Sequence, residues 1–406
     1  MSDKTMIQIA TSADWQRPSG RPCAVFVAMQ AIALAKSRLP IMRELVSRGW
    51  RVVAVANFDE FAPSLKGAGI EFERISFHCG GLAPWRDCRS LQRLANLYRR
   101  LNPTLIHHFQ VRPIIFGCAA ARACPRAKVI NTITGLGHAY TAGEFIRRLA
   151  NAGYRLTLSR AECTIFQNPD DRQEFLKRNL VSERNSSLII SSGIDLDHFQ
   201  PVPRSDGEPL RVVLPTRLLW AKGVGEFAEA ARRLRLQWPH VHFQIAGPIV
   251  ADHPNGVPRR FIEQWVAAGH IEHLGFVHNM CDLYHSATIV VLPSYYREGV
   301  PRVLLEAAAC GVPVITCDST GCREAAENNV TGLLVPPRNS NALEAAIHRL
   351  LSNPALRTQM GRAGRQRMER LFDQRVVVSK YLNTYRQIGV SLERVSHLSV
   401  RGEFAA

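Results

Sequence analysis

Short apolar, β-branched runs alternate with amphipathic stretches along most of the chain, a pattern that predicts parallel sheets covered by helices on both faces. In the first half, residues 25–29, 51–56, 105–108, 128–132 and 163–167 read as strands, and 38–48, 87–101, 113–123 and 143–160 as helices. In the second half, strands are predicted at 210–215, 241–246, 271–276, 288–292, 312–316 and 332–335. Helices are predicted at 224–236, 258–268, 301–310, 340–352, 355–371 and 374–388. Between the halves, residues 189–201 (IISSGIDLDHFQP) break the alternation and lead into Pro203, Gly207 and Pro209, which marks a hinge.

The expected organisation is therefore two doubly wound α/β domains facing a cleft. Residues 1–23 form an extension, 24–195 and 196–373 the two domains, 374–389 a helix crossing back to the first domain, and 390–406 a tail. A chain of 406 residues exceeds what one core organises, in keeping with two domains. The longest apolar run, 24–35 (AVFVAMQAIALA), falls short of the roughly 18–20 residues that span a bilayer. Its basic flank resembles a signal peptide, but a buried first strand running into a loop is the expected structure.

Two predicted strand ends carry unusual chemistry. After 210–215 come Thr216, Arg217, Lys222 and Gly223, two cations on one loop that can reach adjacent phosphates. After 288–292 comes SYYREGVPRVLLEAAACGVPVIT, in which Gly299 permits a tight turn and Pro301 suits the first position of a helix. Backbone N–H groups at such a helix start attract an anion, a diphosphate for example. Glu298 precedes the helix and Glu306 lies eight residues on. Carboxylates accept paired hydrogen bonds from vicinal hydroxyls, so two of them suit a ribose and a sugar. Glu306, flanked by Leu304, Leu305 and Ala307–Ala309, needs a partner wherever it sits.

These residues resemble a known family. The run E-G-V-P-R-V-L-L-E-A, followed by C-G-V-P-V-I-T, is similar to the paired-glutamate signature of family 4 retaining glycosyltransferases, which have the GT-B fold. Ala246-Gly247-Pro248, Gly275-Phe276 and Gly332–Pro336 fit the family's later landmarks in order. The resemblance implies that Arg217 and Lys222 hold the donor's diphosphate, that Glu306 holds the ribose and that Glu298 holds the transferred sugar. It places the backbone of Gly299 and Val300 against sugar or phosphate. The implied donor is a nucleotide sugar, UDP-linked by family likeness, and serves as a substrate, with no cofactor and no metal. The configuration would be retained, with cations stabilising the leaving diphosphate.

In the first half, LIHHFQVRP (105–113), INTITGLGHAYT (130–141), Phe166-Gln167-Asn168 and Asp170-Asp171 resemble the subgroup that extends lipid-linked oligosaccharides. Members of that subgroup include N-acetylgalactosaminyltransferases acting on undecaprenyl-diphospho-bacillosamine. The implied acceptor is a polyprenyl-diphosphate-linked sugar. Thr134, His138, His108 and Arg112 are acceptor-side candidates, and Gly135 and Gly137 let their loop approach the donor. Where many family members carry a histidine, this chain has Thr132-Ile133-Thr134-Gly135, and the nearest histidine is His138. A GT-B nucleotide-sugar epimerase, or a transferase with a soluble acceptor, is the alternative.

Charge narrows the partners. Residues 1–195 hold 27 Lys and Arg against 15 Asp and Glu, while the whole chain carries +17. Such an excess favours an anionic partner. Nothing resembles a nucleic-acid recognition element, so no nucleic acid is expected. The 144–160 segment, with Phe145, Leu149, Ala152 and Leu156 on one stripe beside Arg147, Arg148 and Arg155, favours an anionic membrane surface. Ten scattered cysteines without a C-x-x-C pair read as free thiols in a reducing cytoplasm. The expected location is thus cytoplasmic, peripheral on the inner membrane face. Asp195-Leu196-Asp197 is read as a hinge turn and His270–His273 as strand sequence, neither as a metal site.

Overall fold

The computed structural model describes residues 21–78, 84–137, 140, 143–203, 207–250 and 253–393. The first sheet comprises β1 (Cys23–Gln30), β2 (Arg51–Asn57), β3 (Glu71–Arg74), β4 (Leu105–Phe109), β5 (Lys128–Ile133), β6 (Cys163–Phe166) and β7 (Ser186–Leu188). Its seven strands run in the order β3-β2-β1-β4-β5-β6-β7. The second comprises β8 (Arg211–Pro215), β9 (His242–Ala246), β10 (Glu272–Gly275), β11 (Ile289–Leu292), β12 (Val314–Cys317) and β13 (Gly332–Val335), in the order β10-β9-β8-β11-β12-β13. Every pairing is parallel. Each sheet reverses its winding once, at β1/β4 and at β8/β11, the points where doubly wound sheets bind ligands.

Alternation along β1 divides the first core. Val25 and Val27 pack with Leu94, Leu97 and Tyr98 of the helix Pro84–Leu101. Ala24, Phe26 and Ala28 pack on the opposite face with Ile41, Met42 and Leu45 of the helix Leu39–Ser47. That second face is completed from the far end of the chain. The helix Gln374–Gln387 supplies Val377, Tyr381, Leu382 and Tyr385 to the same cluster. Tyr381 Oη accepts from buried Arg38 at 3.0 Å, and Tyr385 Oη lies 2.8 Å from His107 Nδ1. The two connections between sheets run side by side: Ile194 N donates to Phe372 O and Gln374 N donates to Ile194 O. Gly193 allows this closeness, since a Cβ there would lie 2.7 Å from Gln374 Cα.

Several features differ from the sequence expectation, the unanticipated short helices Ala62–Gly67 and Met280–Ser286 among them. The run 24–35 does not enter a loop; β1 passes directly into the helix Ala31–Ser37, whose alanines favour helix and whose Ile32 N–H is taken by Asp59 Oδ2 at 2.9 Å. The edge strands β3 and β7 were not anticipated, because EFER and SSL are short and polar. The helix Pro169–Lys177 was also missed, although Asn168-Pro169 carries a start signal: Asn168 Oδ1 accepts from Asp171 N at 2.7 Å. Among the described residues no helix is long and apolar enough to cross a membrane.

His108 was read as an acceptor-side candidate, and the structure corrects this. It is fully buried within the first domain, between Tyr98 Oη at 3.0 Å and Asn131 Oδ1 at 3.0 Å. Its neighbour His107 is equally buried, between Tyr385 and Thr132 Oγ1 at 2.7 Å. Burial pushes the pKa of His108 down to about 4 and that of His107 well below its usual value. Both are neutral when folded, whereas the unfolded chain takes up protons below about pH 6.5. Their contribution to stability is therefore complete above pH 6.5 and erodes as pH falls toward the folded values. Urea midpoints measured from pH 7.5 to 5 should decline, each histidine costing about 1.4 kcal/mol per pH unit below 6.5. A His108→Gln variant should show a shallower slope over that interval, by one proton.

Candidate active site

The site forms where β8 and β11 end. After β8, Thr216 N donates to Ala246 O and Leu218 N to Pro248 O, so the turn carrying Arg217 is laid against the end of β9. Gly247 makes this possible, because a Cβ there would sit 1.8 Å from Thr216 O. Arg217 remains exposed. The chain then makes a single 3-10 turn, Trp220–Lys222, ended by Gly223 at φ +78 against Pro293. Lys222 is thereby carried inward and is only 8% exposed.

After β11 the loop 293–301 turns back over Lys222. Tyr295 N and Tyr296 N both donate to Ala221 O, fixing the loop to the 3-10 turn. Lys222 Nζ lies 2.5 Å from Glu298 Oε1, and Ser294 Oγ donates to the same oxygen at 2.9 Å. The helix Arg302–Ala309 starts one residue later than expected, with Pro301 capping it in an extended conformation. Leu304, Leu305 and Ala307–Ala309 are buried around Glu306, and its required partners are present. Tyr284 Oη donates to Oε2 at 2.9 Å and Arg302 Nε to Oε1 at 3.2 Å. Arg302 also donates to Gly193 O at 2.8 Å and Ser192 Oγ at 3.1 Å, tying this helix to the connection between sheets. Burial, with Glu306 adding to it, pushes the Tyr284 hydroxyl well above its usual value, so it stays a donor.

The first domain meets this loop through Thr134–Gly137. Gly135, at φ +99, brings its backbone so close that a Cβ would lie 2.5 Å from Gly299 N and from Glu298 C. Gly137 N donates to Arg297 O at 2.9 Å, and a Cβ on Gly299 would lie 3.0 Å from Thr134 O. The two glycines expected to approach a donor are here pressed against the backbone that carries Glu298. Val300 is buried beneath the same loop.

Lys222, Glu298, Gly299, Val300, Thr134, Gly135 and Gly137 meet at one junction, while Arg217 stands on the exposed turn before Lys222 and Glu306 lies in the helix beyond, held by Tyr284 and Arg302. Sequence reasoning missed Ser294, Tyr284 and Arg302. Arg302 was legible as a cation four residues before a carboxylate on an apolar helix; Tyr284 lies 22 residues away and carried no signal. The Arg112 guanidinium donates to His78 O and lies 3.9 Å from Asp87, both within the first domain. His138 falls outside the described residues. Asp195 Oδ1 accepts from Asp197 N and His198 N, which makes the D-x-D a turn. His273 bonds Gly247 O, and Glu272 pairs with His242, so that segment is spent on sheet packing.

Comparisons with known proteins now give this geometry a family. The family model described as Glycosyl transferases group 1 matches residues 197–367, and that described as Glycosyl transferase 4-like domain matches residues 34–186. The chain belongs to the family 4 glycosyltransferases and has the GT-B fold. Among its relatives is the N,N'-diacetylbacillosaminyl-diphospho-undecaprenol alpha-1,3-N-acetylgalactosaminyltransferase of Campylobacter jejuni, 27% identical over 89% of this chain and 98% of the relative. Similar solved structures include the sucrose-phosphate synthase of Thermosynechococcus elongatus (TM-score 0.75, 23% identity, 91% of this chain and 99% of that one). Another is Anabaena HepE in complex with UDP and glucose (TM-score 0.76, 16% identity, 90% of this chain and 100% of that one).

The Glu306 cluster generates a stability test. Arg302→Met removes the cation beside a buried carboxylate and its ties to the connection between sheets. It should cost about 1–3 kcal/mol, below the range for a fully buried pair because Arg302 is partly exposed and Tyr284 still donates. Adding Glu306→Gln should recover part of that loss in urea unfolding; full additivity of the two changes would show that they do not interact.

Proposed function

We propose that the protein transfers a hexose or N-acetylhexosamine, with retention, from a UDP-sugar to a polyprenyl-diphosphate-linked sugar during surface polysaccharide or glycan assembly. The observation that carries this reading is the buried Lys222–Glu298 contact at the junction of β8 and β11, beside the exposed Arg217. Lys222 and Glu298 pair with one another across this contact. An arriving diphosphate competes for Lys222, and the freed Glu298 carboxylate then accepts hydrogen bonds from sugar hydroxyls. Seating of the diphosphate and gripping of the sugar are thereby linked in one exchange. As the glycosidic bond to phosphate breaks, Lys222 and Arg217 meet the growing negative charge, a role that metal ions fill elsewhere. Glu306, held by Tyr284 and Arg302, offers its carboxylate to the ribose hydroxyls.

The lipid-linked acceptor is supported by the activity in the name of the Campylobacter jejuni relative and by one helix surface. The helix Glu144–Thr157 sits on the first domain through Ala150, Tyr154 and Thr157, with Gly153 packed on Ile115. Its opposite side exposes Phe145 by 70%, Leu149 by 44% and Leu156 by 69%. Arg148 and Arg155 flank that stripe and are exposed. An apolar stripe turned outward between arginines suits the inner face of a cytoplasmic membrane.

The deciding experiment mixes the protein with a panel of nucleotide sugars and a short-chain polyprenyl-diphospho-sugar, in EDTA, and weighs the product. One added hexose or N-acetylhexosamine is expected; hydrolysed or epimerised donor without transfer would favour the epimerase reading. In that assay Lys222→Ala should lower turnover on the order of 100-fold or more. Near wild-type turnover would remove Lys222 from the reaction.

Membrane docking is read separately. Phe145→Ser with Leu149→Ser and Arg148→Glu should release the protein from anionic vesicles in flotation, since each buried apolar side chain adds roughly 1.5–3 kcal/mol and each arginine roughly 1. Transfer to a soluble short-chain acceptor should be little changed. A wild-type protein that never floats at low salt would sink the membrane assignment.

A further inference from the structure

The segment Gln167-Asn168-Pro169-Asp170-Asp171 has no role in the reaction as described, yet its side chains reach across to the other domain. Four of its side chains touch the loops that end β11 and β12. The Gln167 amide oxygen packs on Gly299, 2.3 Å from where a Cβ would be. Asn168 Nδ2 donates to Glu298 O at 3.2 Å. Asp170 Oδ2 accepts from Thr320 Oγ1 at 2.7 Å and lies 3.3 Å from Arg323. Asp171 Oδ1 accepts from Arg297 Nη2 at 2.8 Å.

Asp171 is the unusual member. Its side chain is fully buried, and burial raises its pKa, with Asn168 and Arg297 opposing the rise. The cation that compensates it comes from the other domain. Arg297 is held in turn, with its guanidinium 5.6 Å from the centre of the Tyr140 ring. Asn168 is fully committed: Oδ1 caps the helix Pro169–Lys177, while Nδ2 is shared between Asp171 Oδ2 at 2.9 Å and Glu298 O. With Gly137 N on Arg297 O, the first domain makes three polar attachments to two consecutive residues, Arg297 and Glu298. The Glu298 side chain meanwhile points to Lys222 and Ser294 in its own domain. The backbone of Glu298 is therefore seated by one domain and its carboxylate by the other.

We infer that Asp171 and Arg297 are positioning residues, an interdomain clasp that sets where the Glu298 carboxylate stands and so couples domain closure to sugar alignment. Opening the cleft breaks the Asp171–Arg297 pair and releases Glu298 from Asn168 in the same movement. The inference rests on the reading that Glu298 meets the transferred sugar. The residues it names hold the backbone of Arg297 and Glu298 and the Arg297 side chain, whereas the diphosphate and ribose contacts are read on Arg217, Lys222 and Glu306.

The test uses Asp171→Asn, which keeps the shape and removes the charge, with Arg297→Met and Arg297→Lys on the partly exposed partner. Transfer kcat should fall by about 10- to 100-fold in Asp171→Asn and Arg297→Met, as sub-ångström misplacement of a reacting group does. The dissociation constant for UDP, measured calorimetrically, should stay within about 3-fold of wild type, and Arg297→Lys should retain more turnover than Arg297→Met. The two neutralising changes together should cost no more than the worse of them alone. Wild-type kcat in Asp171→Asn would overturn the inference. So would loss of turnover, UDP affinity and melting temperature in parallel, which would mark a folding defect only. If the wild-type protein makes no product from any nucleotide sugar, the transfer reading fails by itself. The clasp is then decided by small-angle scattering: the Asp171→Asn, Arg297→Met double variant should show a larger radius of gyration, and an unchanged curve would discard it.

Discussion

Three backbones meet without side chains between them, and the arrangement of the site depends on that meeting. Gly135 follows β5, Gly299 follows β11 and Gly321 follows β12. A Cβ on Gly321 would lie 2.0 Å from Gly299 O, and one on Gly135 would lie 2.5 Å from Gly299 N. No other residue type allows peptide planes from two domains to stack this closely. The loop carrying Glu298 is consequently gripped on both sides by main chain, which has no rotamers to change. Side chains then add direction: Lys222 and Ser294 from beneath, Asn168 and Asp171 from across the cleft.

Polar burial follows the same logic in β4 and around Glu306 and Asp171. The fully buried histidines of β4 are paired with hydroxyls and an amide, and their neutrality is fixed by desolvation. Buried charges are paired with opposite charges or hydroxyls, as Glu306 with Arg302 and Tyr284, and Asp171 with Arg297. The arginine excess of the first half is spent differently. Arg38 lies under Tyr381 and Phe109, Arg160 bonds three backbone carbonyls between Ala121 and Ala127 at 3.3 Å or less, and Arg148 remains on the surface. Net charge read from composition overstated what is available to an outside partner.

Much of the fold was legible because a parallel sheet buried on both faces writes continuous apolar runs, as in β1, β2, β8 and β11. The paired glutamates were legible because a carboxylate inside an apolar helix conflicts with its surroundings unless something answers it. What escaped were features whose cause lies elsewhere in the chain. The edge strands β3 and β7 acquire their conformation from neighbours rather than from their own residues. Gly135 read as freedom to approach a ligand, since nothing local reveals that the loop after β11 fills that space. His108, in a predicted strand, could be core or acceptor-side on its own sequence, and the residue that decides it, the covering Tyr98, lies on a separate helix.

The last helix also bears on how the molecule comes to exist. Phe26, Phe109 and His107 face a surface of the first sheet that Tyr381 and Tyr385 cover, more than 270 residues downstream. A chain made from its N-terminus displays this apolar sheet face during synthesis of the entire second domain. Such a surface is prone to association until it is capped. The order of translation therefore leaves the first domain half-finished until the helix Gln374–Gln387 has been made. A chain stopped near residue 370 would carry every group of the β8/β11 junction and still lack the lid of its first core.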